Sequence, residues 1–147
     1  MNVLNNIIQR LSRLSFGLSL SLMVLLSSCT SKSVFLDSDV IPAARGFVKV
    51  KEDGNKNYTI QLSLEHLAEA DRLNPPKEMY VIWMESDRNN TRNIGQINRG
   101  SSTNNLKAAF DTSSPYAPTR IFITAEDDAS VSYPGSQMVL TTGRLKG

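Results

Sequence analysis

The chain holds one cysteine, one histidine and one tryptophan among its 147 residues. A single cysteine excludes an internal disulfide and a cysteine-rich metal site, and a single histidine, His66, excludes a histidine pair for zinc. No Gly-x-Ser-x-Gly elbow occurs, which removes the serine hydrolases built on that turn. Heptads and fixed-period repeats are missing as well, so neither a coiled coil nor a solenoid is expected. Charge of one sign is also lacking. Sixteen Lys and Arg stand against fourteen Asp and Glu, and residues 1–28 contain Arg10 and Arg13 but no acid. Beyond residue 28 there are fourteen of each sign, which excludes the basic surplus of a nucleic-acid binder. What remains is 40% hydrophobic residues, ordinary for one packed domain and too many for a disordered chain.

The N-terminus has its own organisation. Residues 1–13 form a basic leader, and Leu14 to Leu26 then runs apolar or small without a charge. That run is 13 residues long, short of the roughly 20 a membrane-spanning helix needs, so it reads as the core of an export signal. Leu26-Ser27-Ser28-Cys29 resembles the bacterial lipobox, an aliphatic residue and two small ones before cysteine. The resemblance implies cleavage after residue 28 and lipidation of Cys29; an ordinary secretory signal with a free thiol is the alternative. Two or more acyl chains hold a protein stably at a membrane, at ~0.8 kcal/mol per buried CH₂. Thr30 to Val34 carries neither an Asp after the cysteine nor an acidic run. An outer-membrane anchor facing the periplasm is therefore expected. The organisation is read as signal peptide 1–28, lipidated cysteine and tether 29–44, and a β-sandwich over 45–147.

From Arg45 onward the dominant period is two. Val48 and Val50 alternate with Lys49 and Lys51, and Tyr58, Ile60, Leu62 and Leu64 alternate with Thr59, Gln61, Ser63 and Glu65. Glu78 to Glu85 leaves neither face polar and reads as a central strand. Thr91 to Ile97, Leu106 to Phe110, Arg120 to Ala125 and Gln137 to Thr142 complete the set, while His66 to Leu73 has room for a helical turn before Pro75-Pro76. Seven short strands separated by turn signals predict an all-β fold, a seven-stranded antiparallel immunoglobulin-like sandwich. Its core is expected to include Tyr58, Ile60, Leu62, Ile82, Trp83, Leu106, Phe110, Ile121, Ile123 and Leu140. Tyr80 and Trp83, three positions apart, should face opposite sides of their strand, one between the sheets.

Five short motifs follow in order: Tyr80-Val-Ile-Trp83-Met, Ile94-Gly95-Gln-Ile97, Ile123-Thr124-Ala-Glu126, Tyr133-Pro134-Gly135 and Val139-Leu140-Thr-Thr-Gly143. Together they resemble the extracytoplasmic C-terminal domain of anti-sigma-K-type factors. The chain departs from that pattern where Asp127 follows Glu126 in place of Pro. The lipobox also stands where such factors have a sigma-binding segment and a membrane span. The resemblance therefore implies the fold and not the activity.

Candidate chemistry is sparse. His66 adjoins Glu65 at a strand end and reads as structural. Glu126-Asp127-Asp128 is the densest acidic cluster, yet it lacks the spacing and distal Glu of an EF-hand loop and reads as a solvated turn. Glu85 and Glu126 are the carboxylates a hydrolase of envelope material would use. Arg92, Arg99, Arg120 and Arg144 are too scattered for a phosphate site. The expected function is a lipid-anchored, non-catalytic interaction or sensory module. It would need no cofactor or metal and would recognise an envelope protein or component. The loops expected to make contact are Asp87 to Asn90, Ser113 to Pro118 and Glu126 to Pro134, through Asp87, Arg88, Asn89, Asn90, Tyr116, Asp127, Asp128 and Tyr133.

Overall fold

A computed structural model describes residues 30–87, 90–97 and 107–145. Cys29, Arg88, Asn89 and Leu106 lie outside the described residues. In chain order the elements are β1 (Thr30–Val34), β2 (Arg45–Glu52), β3 (Tyr58–Glu65), a 3-10 turn (Ala70–Arg72), β4 (Met79–Ser86), β5 (Thr91–Ile97), β6 (Ala108–Ser114), β7 (Pro118–Glu126) and β8 (Met138–Thr141). They form two antiparallel four-stranded sheets, ordered β1-β2-β3-β6 and β5-β4-β7-β8.

The alternating segments behave as period-two chemistry demands. On β3, Ile60, Leu62 and Leu64 are buried, and Thr59 and Gln61 are exposed. On β4 and β7 both faces are buried: Tyr80, Ile82, Met84, Ile121, Ile123 and Ala125 face the main core, and Val81, Trp83 and Phe122 form a second cluster. Ile60, Leu62, Ile82, Trp83, Ile121, Ile123 and Leu140 are buried as expected, whereas Tyr58 and Phe110 are only half-buried against the main core.

Eight strands are present among the described residues, not the expected seven, because part of the expected tether is folded. β1 pairs with β2 along its whole length, from Thr30 opposite Lys51 to Val34 opposite Phe47. The chain then changes sheet. Phe35 bridges Thr142, the Leu36 N–H donates to the Thr141 carbonyl at 2.8 Å, and the Ser38 hydroxyl donates to the Val139 carbonyl. Phe35, Ile41 and Ala44 are buried. The polar composition hid this strand because edge pairing is made by backbone groups, whatever the side chains. One extended segment thus hydrogen-bonds to both sheets and closes that side of the molecule.

The opposite side is closed by Gly95 on β5. It has φ 153°, and a Cβ there would lie 2.3 Å from two carbons of the Phe110 ring on β6. The predicted helical turn is a single 3-10 turn, and it is followed by a cis Asn74–Pro75 bond. His66 is exposed at φ 56°, where it ends β3 in a left-handed conformation.

Two stability tests follow from this packing. Ile123→Ala empties a fully buried site and should cost about 2–5 kcal/mol in denaturant unfolding. Gly95→Ala should cost about 1–3 kcal/mol, because its methyl group meets the Phe110 ring.

Candidate functional site

The antiparallel pairings give the molecule two ends. At the near end lie Thr30, the 53–57 turn, the turn after Ser86 and the link from Ser114 to Pro118; Thr30 opposes Lys51, Tyr58 opposes Ser114, and Ser86 opposes Pro118. At the far end lie the connection from Glu65 to Met79 and the loop that follows Glu126; Arg45 opposes Glu65, and Met79 opposes Glu126. The three expected recognition loops therefore do not make one surface. Those at 87–90 and 113–118 share the near end, and the one at 126–134 is at the far end.

The far-end loop is held down by a relay that starts in the second core. Trp83 stacks on Phe122 with ring centroids 6.3 Å apart, and Val131 from the loop packs against this cluster. Burying an indole is worth roughly 5 kcal/mol at ~25 cal/mol per Å². Leaving its N–H unpaired would forfeit about 1–3 kcal/mol of that. Trp83 Nε1 donates to Thr124 Oγ1 at 2.8 Å, and Thr124 Oγ1 donates to Glu126 Oε1 at 2.6 Å. The Gly135 N–H donates to the same Oε1 at 2.6 Å. A Cβ on Gly135 would lie 2.7 Å from Glu126 Oε2, so only glycine fits beside the carboxylate without displacing it. Asn93 Nδ2 adds a hydrogen bond to the Ala129 carbonyl at 2.8 Å.

This corrects the reading of the acidic triplet as a solvated turn. Glu126 is buried, while Asp127 and Asp128 are exposed. Asp127 pairs with Lys77 at 2.7 Å, and Asp128 accepts from the Ser130 N–H at 2.7 Å and the Ser130 hydroxyl at 2.8 Å. Those two bonds hold the Asp128 carboxyl below its ordinary range. Each carboxylate thus has its own partner, and among the described residues no three His, Cys, Asp or Glu side chains gather into a metal cage. Tyr133, at 84% exposure, stands out at the loop tip.

Beside the relay an open groove of about 810 Å³ runs between the 3-10 turn, the far-end loop and the segment after Ser38. Its lining includes Val40, Arg72, Lys77, Glu126, Gln137 and Met138. Gln137 Nε2 donates to the Pro75 carbonyl at 3.4 Å, and its buried Oε1 has no hydrogen-bond partner among the described residues. Val40 and Met138 are exposed apolar side chains at the rim. Sequence reasoning missed this groove, since its walls come from three segments far apart in the chain.

At the near end Tyr116 is exposed beneath the Arg92 guanidinium, 4.5 Å from its ring centre. Asp87 and Asn90 are exposed as well. Arg120 pairs with Glu85 at 3.1 Å, donates to Thr141 Oγ1 at 2.9 Å and lies over Phe122. Glu85 and Glu126 do not share a cleft. Glu85 opposes Arg120 and Glu126 opposes Met79, six positions along the same ladder, or about 20 Å. Paired carboxylates that act on one glycosidic bond sit about 5–9.5 Å apart.

The motif residues singled out in the sequence fall on β4, β5, β7, β8 and the far-end loop, all of the second sheet. Four of them, Trp83, Thr124, Glu126 and Gly135, form the relay, which gives their spacing a structural cause. No family model, curated protein or solved structure matches the chain.

Thr124→Val keeps the shape but strands the indole N–H and one donor to Glu126. It should cost about 1–3 kcal/mol, read from the fluorescence of the single tryptophan during unfolding. Thr59→Val, on the exposed face of β3, should stay within about 0.5 kcal/mol. Because the Asp128 carboxyl is lowered, its contribution is present above the ordinary value of 3.8 and is lost as pH falls through the lowered one. Asp128→Asn should therefore flatten the acid limb of the stability curve below about pH 4.

Proposed function

We propose that this protein is a lipid-anchored module of the bacterial cell envelope that binds a partner without catalysis, using the groove and loop at its far end. One observation carries the reading. Thr30, the residue after the lipobox-like Cys29, is paired in β1 opposite Lys51, at the end of the molecule opposite the groove. Acylation of Cys29 sets the near end against the membrane with no slack, and the groove and Tyr133 then face the periplasm.

The strand order supports an immunoglobulin-like build. With β2, β3 and β6 read as strands A, B and E, and β5, β4, β7 and β8 as C′, C, F and G, the order is compatible with such a build without a strand D and with β1 as an addition. The sequence motifs that resemble anti-sigma-K-type domains would carry over the fold and not the activity. The groove mixes Arg72 and Lys77 with Glu126, an apolar rim and an amide oxygen unpaired among the described residues. Such a lining suits a polypeptide better than a small apolar ligand. The wide separation of Glu85 and Glu126 gives no support to a paired-carboxylate hydrolase.

Two measurements test this. Metabolic palmitate labelling should mark the wild type and leave Cys29→Ala unlabelled; equal labelling of both removes the anchor. Crosslinking in intact cells should then capture a partner that Arg72→Glu and Tyr133→Ala lose and the near-end variant Tyr116→Ala keeps. The reverse pattern would place recognition at the other end.

A further inference from the structure

Beyond residue 28 the net charge balances, but its distribution does not. β1 and β2 carry Lys32, Arg45, Lys49 and Lys51 against one carboxylate, Glu52. The stretch from Glu65 to Glu78 and the loop from Glu126 to Gln137 together hold seven acidic residues and two basic ones. Lys32, Lys49 and Lys51 lie toward the end where the chain follows from Cys29, whereas Arg45 opposes Glu65 at the far end, beside those seven acids.

The cationic stripe is built at a cost. Lys32 and Lys49 lie directly opposite each other in the ladder, where like charges repel. Both ammonium groups sit against the Phe47 ring, at 4.1 and 5.5 Å from its centre, which concentrates two positive charges on one aromatic side chain. Lys51 stands opposite Thr30. Among the described residues no ion pair engages any of the three, and all are exposed. Val34, 63% exposed, continues the strip at the end of β1. The nearest carboxylate on the neighbouring strand, Glu65, is paired with Lys107 at 3.2 Å.

Every one of these lysines starts within about 7 Å, along or across the strands, of Thr30 or its partner Lys51. That is less than a Debye length of about 8 Å at physiological salt, so a surface meeting the chain at Cys29 is felt by all three. We propose that the outer face of β1 and β2, through Lys32, Lys49 and Lys51, docks on anionic phospholipid headgroups beside the anchor. The acidic far end is repelled by the same surface, which orients the groove away from the bilayer. This proposal rests on the anchored reading above, and it adds the chemistry of the leaflet and the orientation of the domain.

The test uses the full chain, whose residues 1–28 are common to every variant, with vesicles of phosphatidylcholine alone or equimolar with phosphatidylglycerol. Wild type should partition preferentially onto the anionic vesicles, and the preference should vanish near ~0.5 M NaCl. Each Lys→Gln change should lower partition onto anionic vesicles about fivefold, and the triple variant about a hundredfold, with partition onto neutral vesicles unchanged. Lys32→Glu supplies an independent readout. It should raise the melting midpoint by relieving the Lys32–Lys49 repulsion, and at the same time weaken binding. Equal partition of wild type and triple variant, both folded by circular dichroism, overturns the proposal. So does self-association of the triple variant without vesicles while its monomer binds them like wild type, since the lysines would then only guard an open edge. Palmitate labelling of Cys29 separates the two readings. Charge-dependent binding without label removes the anchor and keeps the surface, and label without charge dependence does the opposite.

Discussion

Along the ladder between β4 and β7, side chains on both faces leave water, and that double burial governs how the remaining segments are placed. The inner face is covered by the first sheet in the ordinary way of stacked sheets. Among the described residues no third layer covers the outer face. Its indole and phenyl rings are instead closed over by the loop between β7 and β8, and a loop can cover a tryptophan only if its own polar groups are satisfied. The Trp83–Thr124–Glu126–Gly135 relay meets that condition, passing hydrogen bonds from the buried ring to the backbone of the covering segment. A carboxylate at the end of β7 is thereby a structural clamp and one wall of the groove at once.

The second constraint is the sheet change after β1. A strand that pairs first with β2 and then runs along β8 ties the free edges of both sheets together, so the N-terminal segment is part of the fold and not a leash. Its mechanical consequence is directional. Whatever holds the chain just before Thr30 holds the near end of the domain, and the groove is carried at the other end. On the anchored reading proposed above, the length of the strands would itself separate the groove from the membrane.

Charge follows the same axis. Beyond residue 28 acids and bases balance, which leaves that part no monopole to steer it, yet an uneven distribution still gives a preferred orientation near a charged surface. Repulsion between Lys32 and Lys49 is the local cost of that distribution. The Phe47 ring offsets part of it by receiving both ammonium groups.

Much of this was legible in the residues and some of it was not. Period-two alternation on β3 and the unbroken apolar run of β4 determined an all-β, two-layer protein, because side-chain direction on a strand depends only on parity. Opposite facing of Tyr80 and Trp83 came from the same rule. The count of strands did not, since β1 is polar and owes its existence to backbone bonds with a partner thirteen or more residues away. Nor could sequence say that Glu126 is buried while its neighbours are not. A carboxylate leaves water only where donors converge on it, and those donors come from β7 and a loop nine residues on. The separation of Glu85 from Glu126, and of the near loops from the far one, is likewise a matter of register. Local pattern decides which face a residue takes, and only long-range pairing decides which end of the molecule it reaches.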